Sequence, residues 1–421
     1  MAVRRRALLC GLAAAALILG GCNSSTGEQQ TSGPVSLTMW NTGSDEDTKA
    51  IQKAADQYKA AHPDVTIKVE TITWADGNAK ILAAAQAKQG ADIITGGLSW
   101  GIQFGALGGM VDLKTLGVVD VAKSVSQQAI WKSITSTDGA VYGAPFDLSA
   151  YVLYYNPDLF AKAKIAGPPK TWAELTDAIT KLKAAGVKYP FAMEWGNTSW
   201  LEYFNFLRQA GGNLYDEGCT KATIDSPQAV EALRFYGELY TKYGAPKDAG
   251  FDVTGGMGKG EVAMISGGNW LLSGIPSTVP ALKDKLGVAP MPAGAAGGTT
   301  FLGGRVIGVM SYSKNQQAAA DFITYLYDPA AIKTIADTLA VSGSLFLSSR
   351  PDQLAGLQAK PEVVQTLQSI YGTAEGPPAC PGWEDSSSLV DKALQKSMFD
   401  GVAPESALAD AAKIMNDNLK K

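Results

Sequence analysis

The apolar residues of the first hundred positions change their period several times, which indicates alternating strands and helices. The run from Val35 to Trp40 is short and apolar, as in a buried strand. Ser44 then caps a helix whose apolar side chains recur at helical spacing until His62-Pro63, where proline stops it. An alternating strand over 65–69, a helix over about 76–88 and an apolar strand over 91–94 follow. This order predicts a wound α/β sheet.

The same alternation returns later in the chain and predicts a second set of α/β elements. Thr171 and Glu174 form a capping box before a helix that ends at Gly186, and Ser226-Pro227 begins another that ends at Gly244. The small residues over 293–300 are typical of a flexible crossing or hinge. The other predicted elements are strands over 141–146, 151–155 and 262–265 and helices over 315–327 and 404–419.

The first 22 residues have the pattern of an export signal rather than of a fold element. Three arginines, Arg4–Arg6, precede an uncharged and mostly apolar run that is too short to span a bilayer comfortably. Leu19-Gly20-Gly21-Cys22 resembles a bacterial lipobox, whose cysteine is lipidated and becomes the first residue of the mature chain. We therefore predict a lipoprotein signal peptide over 1–21, lipid on Cys22 and a flexible polar tether over 22–34. An uncleaved anchor, an ordinary secretion signal and a twin-arginine signal are the alternatives.

The length and charge of the mature chain limit its architecture and its partners. Removing residues 1–21 from 421 leaves 400 residues, which is long for one hydrophobic core and predicts two lobes. The removed segment carries three arginines and no acid, so the formal charge falls from −4 to −7. An acidic chain without a basic stripe is a poor candidate for nucleic-acid binding. In the sequence, no later segment is long and apolar enough to cross a membrane.

Two cysteines remain in the mature chain besides the predicted lipid site. Cys219 and Cys380 can form a disulfide outside the cytoplasm or remain as two thiols, because the sequence does not give the distance between them. We favour the disulfide. The chain has one histidine and no ligand-like spacing, so we expect neither a metal site nor a cofactor.

Three patterns that would suggest an enzyme are weak. Gly97-Leu98-Ser99-Trp100-Gly101 matches a nucleophile elbow, but the only histidine, His62, precedes the serine instead of following it. The run 255–260 lacks the Ser or Thr and the upstream glycine of a phosphate-binding loop. We expect no enzymatic activity and keep a glycosidase as the less favoured alternative, because nothing in the sequence fixes the separation of its candidate carboxylates. These are Asp147, Glu194, Glu384 and Asp385.

Several of the nine tryptophans follow the ends of predicted strands, in small or polar loops. Ligands of α/β sheets bind beyond the carboxyl ends of the strands. An indole there offers a flat apolar face, and neighbouring Asn, Asp and Glu offer hydrogen bonds, which is the combination that a pyranose ring needs. Trp131 and Trp172 fit core packing better, and Trp74 and Trp200 are undecided. The strand-end and loop candidates are Trp40-Asn41, Trp100, Glu194-Trp195, Asn269-Trp270 and Trp383-Glu384.

Several segments, in their order and spacing, resemble the family 1 extracellular solute-binding proteins of bacterial ABC sugar importers. They are the lipobox, Leu37–Trp40, His62–Val65, Val141–Asp147, Tyr154–Asn156, Thr171–Leu175 and Gly258–Met264, which runs on to Gly268-Asn269-Trp270. The resemblance implies an α/β, two-lobe fold of the periplasmic-binding-protein type (type II). Each lobe would contain a mainly parallel sheet flanked by helices, and sugar would bind in the cleft between the lobes.

The resemblance also implies roles for residues at matching positions. Trp270 falls on an aromatic residue that stacks on sugar, and Asp147 falls where a carboxylate commonly takes sugar hydroxyls. Arg350, near the third crossing, is a plausible hydroxyl donor. Together with the strand-end residues above, the predicted ligand-binding set is Trp270, Asp147, Trp40, Asn41, Trp100, Asn269, Trp383, Gly303, Gly304, Arg350 and Trp195.

These observations together predict an extracytoplasmic receptor that is anchored to the cell membrane by lipid on Cys22. It would bind a carbohydrate, either a disaccharide or a longer oligosaccharide, and deliver it to ABC permease subunits. Lobe 1 would contain 35–146 and 304–345, and lobe 2 would contain 147–303 and 346–421. We expect a monomer that contacts the membrane only through its lipid. A receptor for a polyamine or a peptide is the alternative.

Overall fold

The computed structural model describes residues 33–196, 199–354 and 359–420. The predicted signal peptide, Cys22 and the tether up to residue 32 lie outside these ranges. Among the described helices, none combines the length and the apolar character that a membrane span requires. The strands are β1 (Val35–Thr42), β2 (Val65–Ile72), β3 (Ile93–Gly97), β4 (Ala144–Ala150), β5 (Val152–Tyr155), β6 (Tyr189–Ala192), β7 (Val262–Gly267), β8 (Gly287–Ala289) and β9 (Leu302–Val309).

The helices are distributed before, between and after the strands that cross from one sheet to the other. Before β4 they are α1 (Asp45–Ala61), α2 (Trp74–Ala87), α3 (Trp100–Ala106), α4 (Val118–Val125) and α5 (Trp131–Ile134). Between β5 and β9 they are α6 (Pro157–Lys162), α7 (Trp172–Ala184), α8 (Ser199–Gln209), α9 (Pro227–Thr241), α10 (Val253–Gly258) and α11 (Leu271–Thr278). After β9 they are α12 (Gln316–Tyr325), α13 (Pro329–Val341), α14 (Pro351–Leu354), α15 (Pro361–Tyr371), α16 (Trp383–Phe399) and α17 (Pro404–Asn418).

Two separate sheets form, and each contains one reversed strand. The first sheet has the order β2-β1-β3-β9-β4, in which only β9 runs against the others. The second sheet has the order β6-β7-β5-β8, in which only β5 is reversed. The reversed strand in each case is the one whose chain has just arrived from the other sheet. The prediction of two mainly parallel sheets flanked by helices is therefore confirmed.

Local sequence signals explain where many of these elements begin. The Ser44 side chain accepts a hydrogen bond from the backbone of Asp47, and the Asp47 side chain bonds back to Ser44 in a complete capping box. Thr171 and Ser226 cap α7 and α9 in the predicted way. The strand predicted over 141–146 is displaced in the structure to β4, because Val141 bonds to Asp112 and Leu113 in a loop instead of pairing in the sheet.

A further segment, between α13 and α14, packs beside β4. Phe146 and Phe346 pack with ring centroids 5.5 Å apart, where β4 meets the segment that crosses back towards α14. Beside the second sheet, four helices pack against one another: α8, α9, α16 and α17. The predicted lobe boundaries at 146/147 and 303/304 fall inside β4 and β9, and the division into lobes by residue number remains a prediction.

Candidate functional site

The ends of the strands in the two sheets lie close to each other at the point where the chain crosses from β4 to β5. Ala150, the last residue of β4, pairs with Leu302 at the start of β9, and Val152 at the start of β5 pairs with Gly267 at the end of β7. Only Tyr151 separates β4 from β5. The carboxyl ends of the parallel strands in both sheets therefore point towards the same interior space, where α/β proteins bind ligands. We call this space the cleft.

The first sheet contributes two tryptophans to the cleft. Trp74 begins α2 just after β2 and is 52% exposed, whereas Trp100 begins α3 just after β3 and is 8% exposed. Their ring centroids lie 5.6 Å apart with an interplanar angle of 64°, so the rings meet edge to face. Trp100 is held on its other side by Phe104, 6.2 Å away. The buried indole thus supports the exposed one.

The second sheet contributes Trp270, which follows β7 and is 45% exposed. Its ring lies across the backbone of Gly268, where any side chain would clash with the indole. Tyr151 supports it edge to face, with ring centroids 5.7 Å apart and an angle of 86°. Asn269 accepts a hydrogen bond from the backbone N–H of Ala150 through Oδ1 at 3.1 Å. Asn269 therefore fixes the turn that presents Trp270.

The base of the cleft is a buried ion pair between β4 and β9. Asp147 accepts hydrogen bonds from the backbone N–H and Nε of Arg305, both at 2.8 Å, and from Nη2. Arg305 Nη1 donates to Oδ1 of Asn41 at 3.0 Å and to the carbonyl of Thr42 at 2.9 Å. Burial lowers the pKa of Arg305, but the carboxylates of Asp147 and Asp47 outweigh it and the net shift is upward. The guanidinium stays charged and joins the end of β1 to the middle of β4 and of β9.

The predicted glycine pair lies beside this ion pair on β9. Gly303 pairs with Ser149, and Gly304 pairs with Leu148. Gly304 has a φ of +124°, and a Cβ there would clash with the carbonyl oxygen of Asp147. Only glycine therefore lets β9 approach β4 closely enough for Arg305 to reach Asp147.

Carboxyl groups without cationic partners lie on the second sheet's side of the cleft. Glu202 on α8 is 2% exposed and accepts a hydrogen bond from Ser266 Oγ at 2.6 Å. Burial raises the pKa of Glu202 to about 8; the Ser266 hydrogen bond opposes this shift and the nearby Glu194 adds to it. Burial also raises the pKa of Glu194. Among the described residues, no lysine or arginine is among the causes of either shift, so no cation favours the charged form of these carboxyl groups.

A third carboxyl joins elements that belong to different sheets. Glu384 in the first turn of α16 accepts a hydrogen bond from the hydroxyl of Ser99, the residue before α3. Burial raises the pKa of Glu384, and the hydrogen bonds from Ser99 and Trp100 lower it in part. The contact connects the two sides of the cleft.

Four residues of the predicted ligand-binding set make contacts with other parts of the protein. Trp383 is 2% exposed, packed against Trp200 with ring centroids 4.9 Å apart. Trp195 packs edge to face on Phe399. Trp40 donates to Glu70 through Nε1 at 3.1 Å, with Lys80 Nζ 4.2 Å from its ring. Arg350 donates to the carbonyl of Tyr327 and to the carboxylate of Asp352.

The predicted disulfide is present. Cys219, in the loop between α8 and α9, is bonded to Cys380, three residues before α16, with their Cα atoms 5.4 Å apart. It ties the start of α16 to the body of the second sheet's helices.

Several residues of the cleft were not in the predicted ligand-binding set. Trp74 follows the end of β2, so the rule that selected the other strand-end tryptophans would have found it. Arg305 is a single charge within the apolar run of β9, which is itself a signal of a buried partner. Glu384 was among the candidate carboxylates, but its contact with Ser99, like the contact of Tyr151 with Trp270, depends on residues far away in sequence.

A cavity of about 840 Å³ lies elsewhere, between α11, the segment 343–345 and the start of α15. Its described lining includes Leu272, Leu345 and Lys360 and contains no aromatic ring. It therefore offers no face on which a sugar ring could stack, and the cleft is the better candidate for a sugar site.

Comparison with known proteins identifies the family. The model of the bacterial extracellular solute-binding proteins matches residues 42–333. The chain belongs to this family. The family membership predicted from the sequence motifs is thereby confirmed, and an extracytoplasmic location follows from it.

Individual solute-binding proteins share the architecture over nearly the whole chain. A solute-binding protein of an ABC transporter from Thermotoga lettingae, solved with alpha-D-tagatose, is 26% identical with a TM-score of 0.79, and the match covers 91% of this chain and 100% of that one. The GacH receptor of Streptomyces glaucescens is 24% identical with a TM-score of 0.80, and the match covers 92% and 98% of the two chains. These matches confirm the two-lobe fold.

A relative with a named solute matches a shorter part. The sn-glycerol-3-phosphate-binding periplasmic protein UgpB of Salmonella paratyphi A is 31% identical over 209 residues, which is 45% of this chain and 46% of UgpB. Like the Thermotoga protein, it is named as a binding protein.

Proposed function

We propose that this solute-binding protein is a receptor for an uncharged saccharide, which binds in the cleft between the two sheets and is delivered to an ABC permease. The observation that carries the proposal is the pair of half-exposed indoles, Trp74 and Trp270, each following a strand end of a different sheet. Each is supported edge to face by a buried ring. Two such faces suit the apolar C–H faces of sugar rings, and the carboxyls nearby suit hydroxyl groups.

The ligand's charge follows from the carboxyls. Arg305 has its donors engaged by Asp147, Asn41 and Thr42, so it offers little to a phosphate. Among the described residues, burial is the largest cause of the raised pKa of Glu194, Glu202 and Glu384, and no lysine or arginine is among the causes. A phosphorylated solute would therefore lose hydration beside these buried carboxyl groups without gaining a cationic partner, and a neutral saccharide is favoured over glycerol phosphate.

The mechanism is a closure of the two lobes around the ligand. A sugar that contacts Trp74 on one side and Trp270 on the other favours the closed arrangement, and it shifts the equilibrium only by its preference for that arrangement. Micromolar affinity requires about −8 kcal/mol. Two stacked indoles and a few charge-assisted hydrogen bonds are of the right size after ordering costs.

The ligand would be larger than a single sugar ring, and the receptor would be anchored to the membrane. Two separated aromatic faces suit a disaccharide or longer chain better than one sugar ring. Lipid on Cys22 would hold the receptor at the cell membrane beside its permease, and the protein would act as a monomer without cofactor or catalytic step. The Thermotoga protein was solved with a sugar, which supports the saccharide class.

Isothermal titration calorimetry against neutral mono- and oligosaccharides tests the proposal, with sn-glycerol-3-phosphate, a polyamine and a peptide in the same panel. Saturable one-to-one heat with a neutral saccharide, and none with the phosphate, is the expected result. Binding of the phosphate, polyamine or peptide alone would overturn the saccharide assignment. Heat that continues at a steady rate after each injection would indicate turnover and a glycosidase.

A further inference from the structure

The hydrogen bond between Ser99 and Glu384 spans the cleft. Ser99 lies between β3 and α3 of the first sheet, and α16, which carries Glu384, packs on α8, α9 and α17 around the second sheet. The two residues are 285 positions apart in the sequence, so neither the local chain nor a shared element brings them together. The contact exists only when the two sides of the cleft are close to each other.

Buried contacts fix the residues that come just before Glu384. Cys380, four residues earlier, is buried and bonded to Cys219. Trp383, the residue before Glu384, is buried against Trp200 and against Tyr215, whose ring centroid lies 6.2 Å away. The start of α16 is thus fixed to the second sheet's helices.

We propose that Glu384 is an affinity-determining residue of the saccharide site that acts by holding the cleft closed against Ser99 and Trp100, and that the Cys219–Cys380 disulfide is what positions it. The inference deepens the proposed receptor function and rests on it only for the affinity measurement. An interaction made only in the closed arrangement raises the population that can bind tightly, so its loss lowers the apparent affinity.

The size of the effect follows from the chemistry of the contact. Glu384 accepts its hydrogen bond in a largely enclosed place, where the loss of one partner of a hydrogen bond costs more than it does at the surface. Removing the carboxylate should weaken saccharide binding about tenfold, mostly through a faster dissociation rate. Glu384→Gln keeps an oxygen that can accept from Ser99, so it should lose less than Glu384→Ala.

The first test compares Glu384→Ala with Asp385→Ala, which removes an equal charge from the same helical turn at an exposed position. Small-angle X-ray scattering without sugar should show a larger radius of gyration for Glu384→Ala than for the wild-type protein. Asp385→Ala should have the wild-type radius. Calorimetry with the saccharide should show the tenfold loss for Glu384→Ala alone. An unchanged radius and unchanged affinity in a folded Glu384→Ala protein would overturn the proposal.

The scattering measurement needs no ligand, so it separates this inference from the proposed function. If no saccharide binds the wild-type protein but Glu384→Ala still expands, the proposed function fails while the role of Glu384 in closure is supported. If a saccharide binds wild type and Glu384→Ala equally well, the proposed function stands and this inference fails.

The second test is a double-mutant cycle on the disulfide. Cys219→Ser/Cys380→Ser should weaken saccharide binding in the wild-type background and have no further effect on affinity in the Glu384→Ala background, because both changes remove the same contact. If the fold-loss of affinity in the combined variant equals the product of the two separate fold-losses, the disulfide acts independently of Glu384. An affinity that is unaffected, with only a lower melting temperature, would show that the disulfide is merely structural.

Discussion

Arg305 and Asp147 form a buried ion pair at the base of the cleft, in which both carboxylate oxygens of Asp147 accept hydrogen bonds from Arg305. The pair joins β9 to β4, the two strands that lead between the sheets. An oxygen engaged in this way is less available to a sugar hydroxyl. Asp147 therefore supports the site from below in our account, and the exposed rings above it contact the ligand.

Replacing Arg305 should destabilise the protein much more than replacing an exposed arginine. Arg305→Met leaves the buried carboxylate of Asp147 unpaired, and breaking such a pair costs about 3–5 kcal/mol. Arg234→Met, which removes an exposed pair with Glu405, is the control and should change little. Denaturant unfolding measures both variants. Equal stabilities for the two would contradict the structural role of the buried pair.

Trp270 and Trp383 should respond to truncation in opposite ways. Trp270→Ala removes a half-exposed ring, so it should lower saccharide affinity about tenfold with little change in melting temperature. Trp383→Ala empties a buried site and should cost about 3–5 kcal/mol of stability. Calorimetry and thermal unfolding of each variant decide the matter. A Trp270→Ala protein that melts early and binds normally would place Trp270 in the core.

Glu202 should make the stability depend on pH. Its pKa is about 8 in the folded protein against 4.5 for the free side chain, so the folded state holds the proton more tightly. Its stabilising contribution is complete below about pH 4.5 and is lost as the pH rises towards 8, at up to about 1.4 kcal/mol per pH unit.

Glu202→Gln should remove this part of the pH dependence, since an amide does not titrate in this range and can still accept from Ser266. The exposed Glu231→Gln on α9 is the control and should keep the wild-type profile. Unfolding free energies between pH 5 and pH 8 give the comparison. A Glu202→Gln profile parallel to wild type would mean that Glu202 does not hold a proton in the fold.

Gly304 should not tolerate a side chain. Gly304→Ala would force a Cβ into the carbonyl of Asp147 at a φ of +124°, which should cost at least about 1–3 kcal/mol. Gly372→Ala, at a φ of −72° with open space around it, should be neutral or slightly stabilising. Denaturant unfolding compares them, and a neutral Gly304→Ala would contradict the close approach of β9 to β4.

The sequence predicted the elements better than the contacts between them. Strand and helix periods, caps and the order of elements are local, so α1, α7 and α9 begin where their caps are. The exposure of Trp270 was also predictable, because it follows a strand end in a glycine turn. Trp383 has a similar sequence context, but the disulfide of Cys380 and the ring of Trp200 bury it.

The partners of Arg305 and Glu384 could not be predicted, because they lie far away in the sequence. Arg305 lies 158 positions from Asp147, and Glu384 lies 285 positions from Ser99, so only the crossing of the chain between two sheets brings them together. Patterns of period 2 or 3.6 hold no information at that range. The contacts between side chains at the cleft can therefore be predicted only from the folded structure, whereas the order of strands and helices can be predicted from the sequence pattern.

The most direct test of the central claim is a crystal structure of the protein with the saccharide that gives the strongest saturable heat. The account predicts a sugar ring stacked on the indole of Trp270, with a further part of the ligand against Trp74. A ligand bound in the cavity beside α11, or in the cleft with the indole of Trp270 still facing solvent, would contradict it.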